Sequence, residues 1–326
     1  MFKSTVIQKG KDLQQALMDK ARDILVGCGL HQIVSYSMIT QDYFDLMQLP
    51  DSHNLRKAVQ LSNPLIQDQT LMRTTLIPGV LNSIQWNANR KVEKIKIFEI
   101  GKVFFSENIS QDDQLPLEKI MINGAVSKIA GSGNIWEKNE KWDIFYLKGI
   151  LGTLFDSLGI NDIEYMQGSF PAFDSERNGI MKLNNDNIGI FGEIKQNIVD
   201  KLGIATDICL FEIDFSVLYS NAKKRIVFEP LPKYPSIQRD ISMIVAEEIT
   251  VGIIQRIIKE KNNDLIKRVE IFDVFRGKQI DQGYKSIAFS IIFQSEYRTL
   301  TDDEVDKMME DIKVVLTNNL GAKMRE

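Results

Sequence analysis

Apolar residues recur at helical spacing near the start of the chain, through Leu13, Leu17, Ala21, Ile24, Leu25 and Cys28. Gly27 and Gly29 close the run, so the pattern predicts an amphipathic helix over 11–28. Ile33-Val34-Ser35-Tyr36-Ser37-Met38-Ile39 is β-rich and alternates, which predicts a strand followed by a loop running to Leu61. Pro78 occupies the place of a first helical residue, for a helix reaching Asn89. Over 94–105, Ile95, Ile97, Phe98, Ile100, Val103 and Phe104 predict a long buried strand interrupted at Gly101. The stripe Leu147, Ile150, Leu151, Leu154, Phe155 and Leu158 predicts a helix over 145–158, belonging to a core or to an interface. Two further strands, over 188–194 and 208–214, flank a short helix.

The pattern then breaks. Pro230, Pro232 and Pro235 fall within six residues, and proline both fixes its own φ and drives the preceding residue toward extended conformations. Residues 226–236 are therefore predicted to be an extended linker between a unit over 1–225 and a second over 237–326. In the second unit the period alternates between two and about 3.6. Strands are predicted over 237–245, 265–275 and 285–294, and a helix over 250–261 carries Val251, Ile254, Ile257 and Ile258 on one face. Thr301-Asp302-Asp303-Glu304 is a capping box opening a helix with the face Val305, Met308, Met309, Ile312, Val315 and Leu316, stopped by Gly321 before a short last strand. The order βαββαβ is the ferredoxin-like arrangement.

Composition narrows the classes. With 326 residues and 44% hydrophobic content the chain can build two cores. From Leu231 onward there are 15 basic and 16 acidic residues, so bulk charge marks neither part as a basic nucleic-acid binder. Cys28 and Cys209 lie far apart in apolar segments, as reduced buried thiols would. His31 and His53 have no partner at metal-ligand spacing, which argues against a metal site and against a Ser-His-Asp hydrolase. No window approaches the ~20 apolar residues of a membrane span, and the start Met1-Phe2-Lys3-Ser4-Thr5 does not lead into a signal peptide. No membrane association and a cytoplasmic location are expected.

The wording of the first unit resembles the catalytic-like module of the bacterial phenylalanyl-tRNA synthetase beta subunit. The likeness rests on Asn63-Pro64-Leu65, on Leu71-Met72-Arg73-Thr74-Thr75-Leu76-Ile77-Pro78-Gly79, and on Phe98-Glu99-Ile100-Gly101-Lys102-Val103-Phe104. Trp136-Glu137 and Lys148-Gly149-Ile150-Leu151 complete it. The resemblance implies an α+β fold: a class II synthetase-like antiparallel sheet with helices, followed by the ferredoxin-like domain. It also implies that the alpha subunit, not this chain, performs the chemistry. The residues agree with a silent site. Activating an amino acid needs a cation beside the ATP α-phosphate, and active class II relatives place an arginine on the second-motif strand. Here that strand ends Gly101-Lys102-Val103-Phe104-Phe105, with Phe105 at the arginine position, and the third motif Gly-x-Gly-x-x-Arg is absent. No catalytic and no metal-ligating residue is assigned. One departure is Phe173-Asp174-Ser175-Glu176-Arg177, where the family often carries His-Pro-Gly-Arg.

The second unit resembles the ferredoxin-fold anticodon-binding domain that ends the same subunit. Pro232-Lys233-Tyr234-Pro235, Arg239-Asp240, Phe272-Asp273-Val274-Phe275-Arg276-Gly277, Lys285-Ser286, Arg298-Thr299-Leu300-Thr301 and Gly321-Ala322-Lys323-Met324-Arg325 carry that likeness. It implies that Asp273, Phe275 and Ser286 read the first anticodon base, by stacking and hydrogen bonding. Phe275 stands where the family commonly has tyrosine, which keeps the ring and loses the hydroxyl. By residue type alone, Phe275 reads as a strand-end core residue and Asp273 as a turn carboxylate. Arg239, Arg276, Lys278, Lys285 and Arg298 are candidate phosphate contacts, with Lys267 and Arg268 beside them; a solvated rim, and a local pair between Arg239 and Asp240, are the structural alternatives.

The family implies partners and cofactors as well. They are the alpha subunit, in an assembly of two alpha and two beta chains, and tRNA(Phe). ATP and magnesium serve the whole enzyme, and no cofactor is assigned to this chain. The tRNA-binding, editing and helical domains of the family lie upstream of the matching stretch, so proofreading and the magnesium-binding carboxylates are expected outside it. A free-standing RNA-binding or regulatory protein is the alternative to the subunit role.

Overall fold

The computed structural model describes residues 10–64, 66, 69–106, 115–128, 141–161, 163–222, 231–261, 264–277 and 279–325. The chain folds as two compact units, Met1–Ile226 and Val227–Glu326.

The first unit opens with α1 (Leu13–Gly27), whose Asp12 side chain accepts a hydrogen bond from the Gln15 backbone N–H at 2.6 Å. Gly29, at φ 85°, adopts the left-handed conformation just past the helix that favours glycine. Of the strand expected over 33–39 only β2 (Met38–Ile39) forms, while a two-residue β1 (His31–Gln32) lies just before the expected span. Val34 and Tyr36 between them are 89% and 76% exposed, so the alternating residues found no strand partner to bury them. The loop expected next contains α2 (Asp42–Leu46), followed by β3 (Leu71–Met72), which pairs with β2. Then come α3 (Ile77–Ala88), with Pro78 in its first turn as expected, and β4 (Lys94–Phe105). β5 (Leu117–Lys128), α4 (Ile144–Leu158), β6 (Glu164–Gln167) and β7 (Phe173–Leu183) follow. β8 (Asp186–Ile194), α5 (Gln196–Lys201), β9 (Ile208–Asp214) and α6 (Phe215–Asn221) complete the unit.

Seven strands form one sheet in the order β1-β4-β5-β9-β8-β7-β6. Every neighbour pair is antiparallel except the two-residue β1, which runs parallel to β4. Alternation along the strands then supplies two apolar faces. Phe98, Ile122, Val126, Phe211 and Ile213 turn toward α1, α4 and α6, with Leu25, Leu147, Leu151 and Leu218. Ile95, Ile97, Ala125, Ile208 and Leu210 turn the other way, toward Val80, Leu81 and Ile84 of α3 and Ile198 of α5. A sheet covered on both faces buries the near-continuous apolar runs of β4 and β9. Cys209 is buried and Cys28 half-buried, and neither is in a disulfide.

The second unit comprises β10 (Ile237–Ala246), α7 (Val251–Lys261), β11 (Ile266–Phe275), β12 (Tyr284–Phe293), α8 (Asp302–Leu320) and β13 (Lys323–Arg325). Sheet order β11-β12-β10-β13, all antiparallel, is that of the ferredoxin-like fold. Ile241, Met243, Val245, Ile287, Phe289 and Ile291 pack against Ile254, Ile258, Val305, Met309 and Ile312 of the two helices. Both halves of the expected capping box form at Thr301 and Glu304, and Gly321 ends α8 at φ 62°. The opposite face of this sheet carries no helix of its own unit. Of the predicted linker, residues 226–230 lie outside the described residues, as do Leu65 and the Trp136-Glu137 pair of the first unit.

Candidate nucleic-acid interface

Four cross-strand rows make up the open face of the ferredoxin-like sheet. Strand register places Phe275 opposite Ser286, Ser286 opposite Ile244 and Ile244 opposite Lys323. The next row is Asp273, Ala288, Ser242 and Arg325; then Glu270, Ser290 and Asp240; then Arg268, Ile292 and Gln238. Asp273, Phe275 and Ser286 thus lie on one face, in two adjacent rows. Phe275 is 40% exposed with its ring against Gly277, where a Cβ would come within 2.6 Å of Cζ. Ser286 is buried beneath this row, while Asp273 is open to solvent. An exposed ring beside a hydroxyl and a carboxylate can take an unpaired base by its π-face and its polar edge.

This grouping depends on one irregularity. Ile271 pairs with Phe289 but Asp273 pairs with Ala288, so Phe272 is the extra residue of a β-bulge. Strict alternation from Val269 and Ile271 would send Asp273 and Phe275 to the helix-covered face. The bulge moves both to the open one, and Phe272 itself is 60% exposed. Neither strand-end core packing for Phe275 nor a turn position for Asp273, the assignments by residue type alone, describes what is observed.

The cations expected to meet phosphates all hold internal partners where they are described. Arg239 does not pair with Asp240, because neighbours in a strand point to opposite faces. Its guanidinium instead reaches Asp302 at 2.6 Å and Asp306 at 3.0 Å on α8. Arg276 donates to Glu247 Oε1 at 2.7 and 2.9 Å, and Arg298 forms a fork with Glu304 at 2.7 and 2.8 Å. These partners hold Arg276 and Arg298 above the usual guanidinium range, and Glu304 falls to about 2. Lys285 is buried on the helix side, donates to the Glu247 carbonyl at 2.7 Å, and its ammonium is shifted down by desolvation. Lys278 lies outside the described residues. Lys323 and Arg325, quoted for the resemblance but not among the candidate phosphate contacts, border the open face and make no ion pair with any described residue. The register of the short last strand is what places them there.

In the first unit a buried polar row crosses the sheet where Glu99, Asn123 and Glu212 stand in register on β4, β5 and β9. Arg73 and Glu99 form an ion pair at 2.7 Å with both side chains almost wholly buried. Ser35 Oγ donates to Glu99 at 2.6 Å, and Arg73 Nε donates to the Lys102 carbonyl at 2.9 Å. Gly101 and Gly79 leave the space: a Cβ at Gly101 would overlap the Arg73 guanidinium, and one at Gly79 would lie 2.6 Å from Ser35 Cβ. Glu212 is fully buried and accepts from the Thr75 hydroxyl and, at 2.7 Å, from the Leu76 N–H. Desolvation pushes its carboxyl up to about 7, against those hydrogen bonds. The charges on this face are therefore consumed internally, and Phe105 is a half-buried strand end opposite Leu117. Among the described residues no three His, Cys, Asp or Glu side chains are grouped to hold a metal ion.

The first unit is thus a large, almost wholly antiparallel sheet closed by helices, and the second a ferredoxin-like sheet with both of its helices on one face. Family models match both units: residues 1–215 fit the phenylalanyl tRNA synthetase beta chain CLM domain, and residues 232–325 the ferredoxin-fold anticodon binding domain. The chain belongs to the phenylalanyl-tRNA synthetase beta chain family. It is 35% identical over 328 residues to a phenylalanine-tRNA ligase beta subunit of Clostridium tetani, and 33% identical over 325 residues to that of Clostridium acetobutylicum. Those alignments take in 100% and 99% of this chain and 39% of each relative, so the chain spans about two-fifths of the length of the proteins it matches. Among solved structures, the pyrrolysyl-tRNA synthetase of Desulfitobacterium hafniense aligns at 18% identity and a TM-score of 0.49, covering 69% of this chain and 77% of that one.

Proposed function

We propose that this chain is the part of a phenylalanine-tRNA ligase beta subunit that holds the anticodon region of tRNA(Phe) with its second unit and packs against the alpha subunit with its first. The observation that carries the anticodon role is the shared open face of Asp273, Phe275 and Ser286, with Phe275 and Ser286 in direct register. Phe275 stacks on the first anticodon base, and Asp273 and Ser286 take its polar edge. Lys323 and Arg325, and the solvent-exposed Arg276 and Arg298 through exchange of their carboxylate partners, meet the backbone phosphates.

The first unit scaffolds and does not adenylate. Supporting this is the face of its sheet toward α3, filled by Val80, Leu81, Ile84, Ala125 and Leu210, with Arg73 committed to Glu99 and a phenylalanine at 105. A phenyl ring cannot neutralise a phosphate, so ATP and magnesium are handled by the alpha subunit, in an assembly of two alpha and two beta chains in the cytoplasm. The surface offered to alpha includes Leu13 and Val26 of α1 and Phe145 of α4, each more than half exposed. No helix among the described residues is long and apolar enough to cross a membrane.

Binding of the whole chain to an anticodon stem-loop of tRNA(Phe) at fixed salt tests the anticodon role. Phe275→Ala weakens it by roughly 1 to 3 kcal/mol, as loss of one base–aromatic stack does, whereas Phe275→Tyr retains it. Unchanged affinity for Phe275→Ala removes the assignment. Co-purification with the alpha subunit tests the scaffold; RNA binding with no alpha association at micromolar concentration would instead favour a free-standing RNA-binding role.

A further inference from the structure

Phe275 is exposed, yet its ring does not lie free. Asp273, Phe275 and Gly277 follow one another at intervals of two where β11 runs out into a turn. A Cβ built on Gly277 would lie 2.6 Å from Cζ of that ring, 3.0 Å from Cε1 and 3.4 Å from Cε2. Carbon atoms in contact rest at about 3.5 to 4.0 Å, so no side chain fits there with the ring in place. The tip of the ring therefore lies over Gly277, on the side away from Asp273. The surface it rests on is itself fixed, because the Ile280 N–H donates to the Gly277 carbonyl at 3.0 Å. Nor does the backbone require glycine at this position. Gly283, six residues on, takes φ 87°, a left-handed conformation that disfavours side chains, whereas Gly277 lies outside that region. What keeps residue 277 bare is the ring of Phe275.

We infer that Gly277 is a positioning residue for base stacking: its missing side chain lets the Phe275 ring lie back over the turn, which keeps open the space between the ring and Asp273. The inference rests on the anticodon role proposed for this face, and Gly277 itself need not touch the base. Residues two apart on a strand lie about 7 Å apart. That leaves room for a base edge beside the carboxylate when the ring leans away from it, and too little when the ring leans toward it. A methyl group at 277 would push the ring tip back toward Asp273 and close the space. It would do so at little cost to the fold, because the ring is the exposed end of a side chain and can swing aside. Gly101 is the opposite case, since a Cβ there meets a buried guanidinium. At Gly277 the loss is one of preorganisation, and it appears in binding.

A double-mutant cycle separates a residue that acts through the ring from one that meets RNA directly. We would measure binding of the whole chain to the anticodon stem-loop of tRNA(Phe) by fluorescence anisotropy at fixed salt, for the wild type, Gly277→Ala, Phe275→Ala and the double variant. Urea unfolding of each chain would be followed in parallel, and each would be titrated with hairpins in which the first anticodon base is replaced. Gly277→Ala is expected to weaken binding about fivefold, the lower end of what loss of one base–aromatic stack costs. On the Phe275→Ala background the same change has no further effect, because the two residues act as one. The factor is the same for every hairpin, since a ring stacks on any base, and the unfolding midpoint stays at that of the wild type. Unchanged affinity for Gly277→Ala, while Phe275→Ala still weakens binding, overturns the positioning role and leaves the anticodon triad standing. A loss that persists in full without the ring means that the methyl group meets the RNA itself, which also overturns it. So does a loss confined to one base, or a fall in stability as large as the fall in affinity. If Phe275→Ala leaves affinity unchanged, the anticodon reading falls and this inference falls with it.

Discussion

The Thr75 hydroxyl donates to both oxygens of the Glu212 carboxylate, at 2.9 and 2.8 Å, tying the entry of α3 to a strand 137 residues later in the chain. The Leu76 N–H completes the cradle. Glu212 has no cation within ion-pair distance among the described residues, and its folded carboxyl titrates near 7 against an ordinary 4.5. A raised folded value means that the folded state binds the proton more tightly than the unfolded chain. The associated stability is fully present below about pH 4.5, declines as pH rises and is gone above about 7. The contribution is on the order of 3 kcal/mol. Denaturant unfolding at several pH values should therefore show Glu212→Gln gaining on the wild type between these limits, and a difference that stays flat with pH contradicts the assignment.

Arg73 and Glu99 make a second prediction. Removing either charge leaves the other buried and unpaired, so Arg73→Ala or Glu99→Ala should cost about 3 to 5 kcal/mol in urea unfolding. Gly101→Ala should act on the same pair from outside it, because its Cβ would meet the guanidinium and also lie 3.3 Å from Leu76 Cδ2. A loss of about 1 to 3 kcal/mol is expected from this overpacking. If Gly101→Ala is neutral, the guanidinium is not locked in place.

The helix start at Thr301 should respond to substitution independently of any ligand. Thr301→Ala removes one half of the capping box and is expected to cost about 1 kcal/mol. Arg298→Ala, which removes a solvent-exposed pair with Glu304, should cost less stability than Thr301→Ala. A larger effect of Arg298→Ala on RNA affinity than on stability would mark it as a phosphate contact.

Salt titration addresses the two cations at the border of the open face. Arg325→Ala and Lys323→Ala should each weaken RNA binding similarly for all hairpins. Each should also flatten the plot of log affinity against log salt by about 0.7, the change for one phosphate contact on a single strand. An unchanged slope places the backbone elsewhere.

How much of this was legible beforehand differs between the units. The ferredoxin-like order could be read almost residue by residue, since Thr301, Glu304 and Gly321 punctuate α8 and the apolar faces of β10 and α7 follow simple periods. The first unit was less transparent. β5 is a central strand, yet Glu118, Lys119 and Asn123 interrupt its apolar run, and the Asn123 amide is buried by position within the sheet and not by type. Conversely, 33–39 looks like a strand by propensity but is unpaired over 33–37, with Val34 and Tyr36 exposed, because strand identity depends on a partner that local sequence does not supply. At the candidate site, Asp273, Phe275 and Ser286 were named from resemblance, but nothing in local pattern put them on one face. The internal partners of Arg239, Arg276 and Lys285 come from elements 29 to 67 residues away, beyond the reach of a periodic reading.

The bulge at Phe272 makes the site sensitive to length in a way that composition does not show. Many side chains at that position would serve, since the residue is mostly in solvent, but the chain must contain it. Deleting this single residue would restore uninterrupted alternation, turn Asp273 and Phe275 under the helices, and bring Val274 out to face the RNA. Mutational drift by substitution can wander freely at Phe272, whereas a frame-preserving loss of its codon would take apart the proposed base-reading group while each of its residues was still encoded.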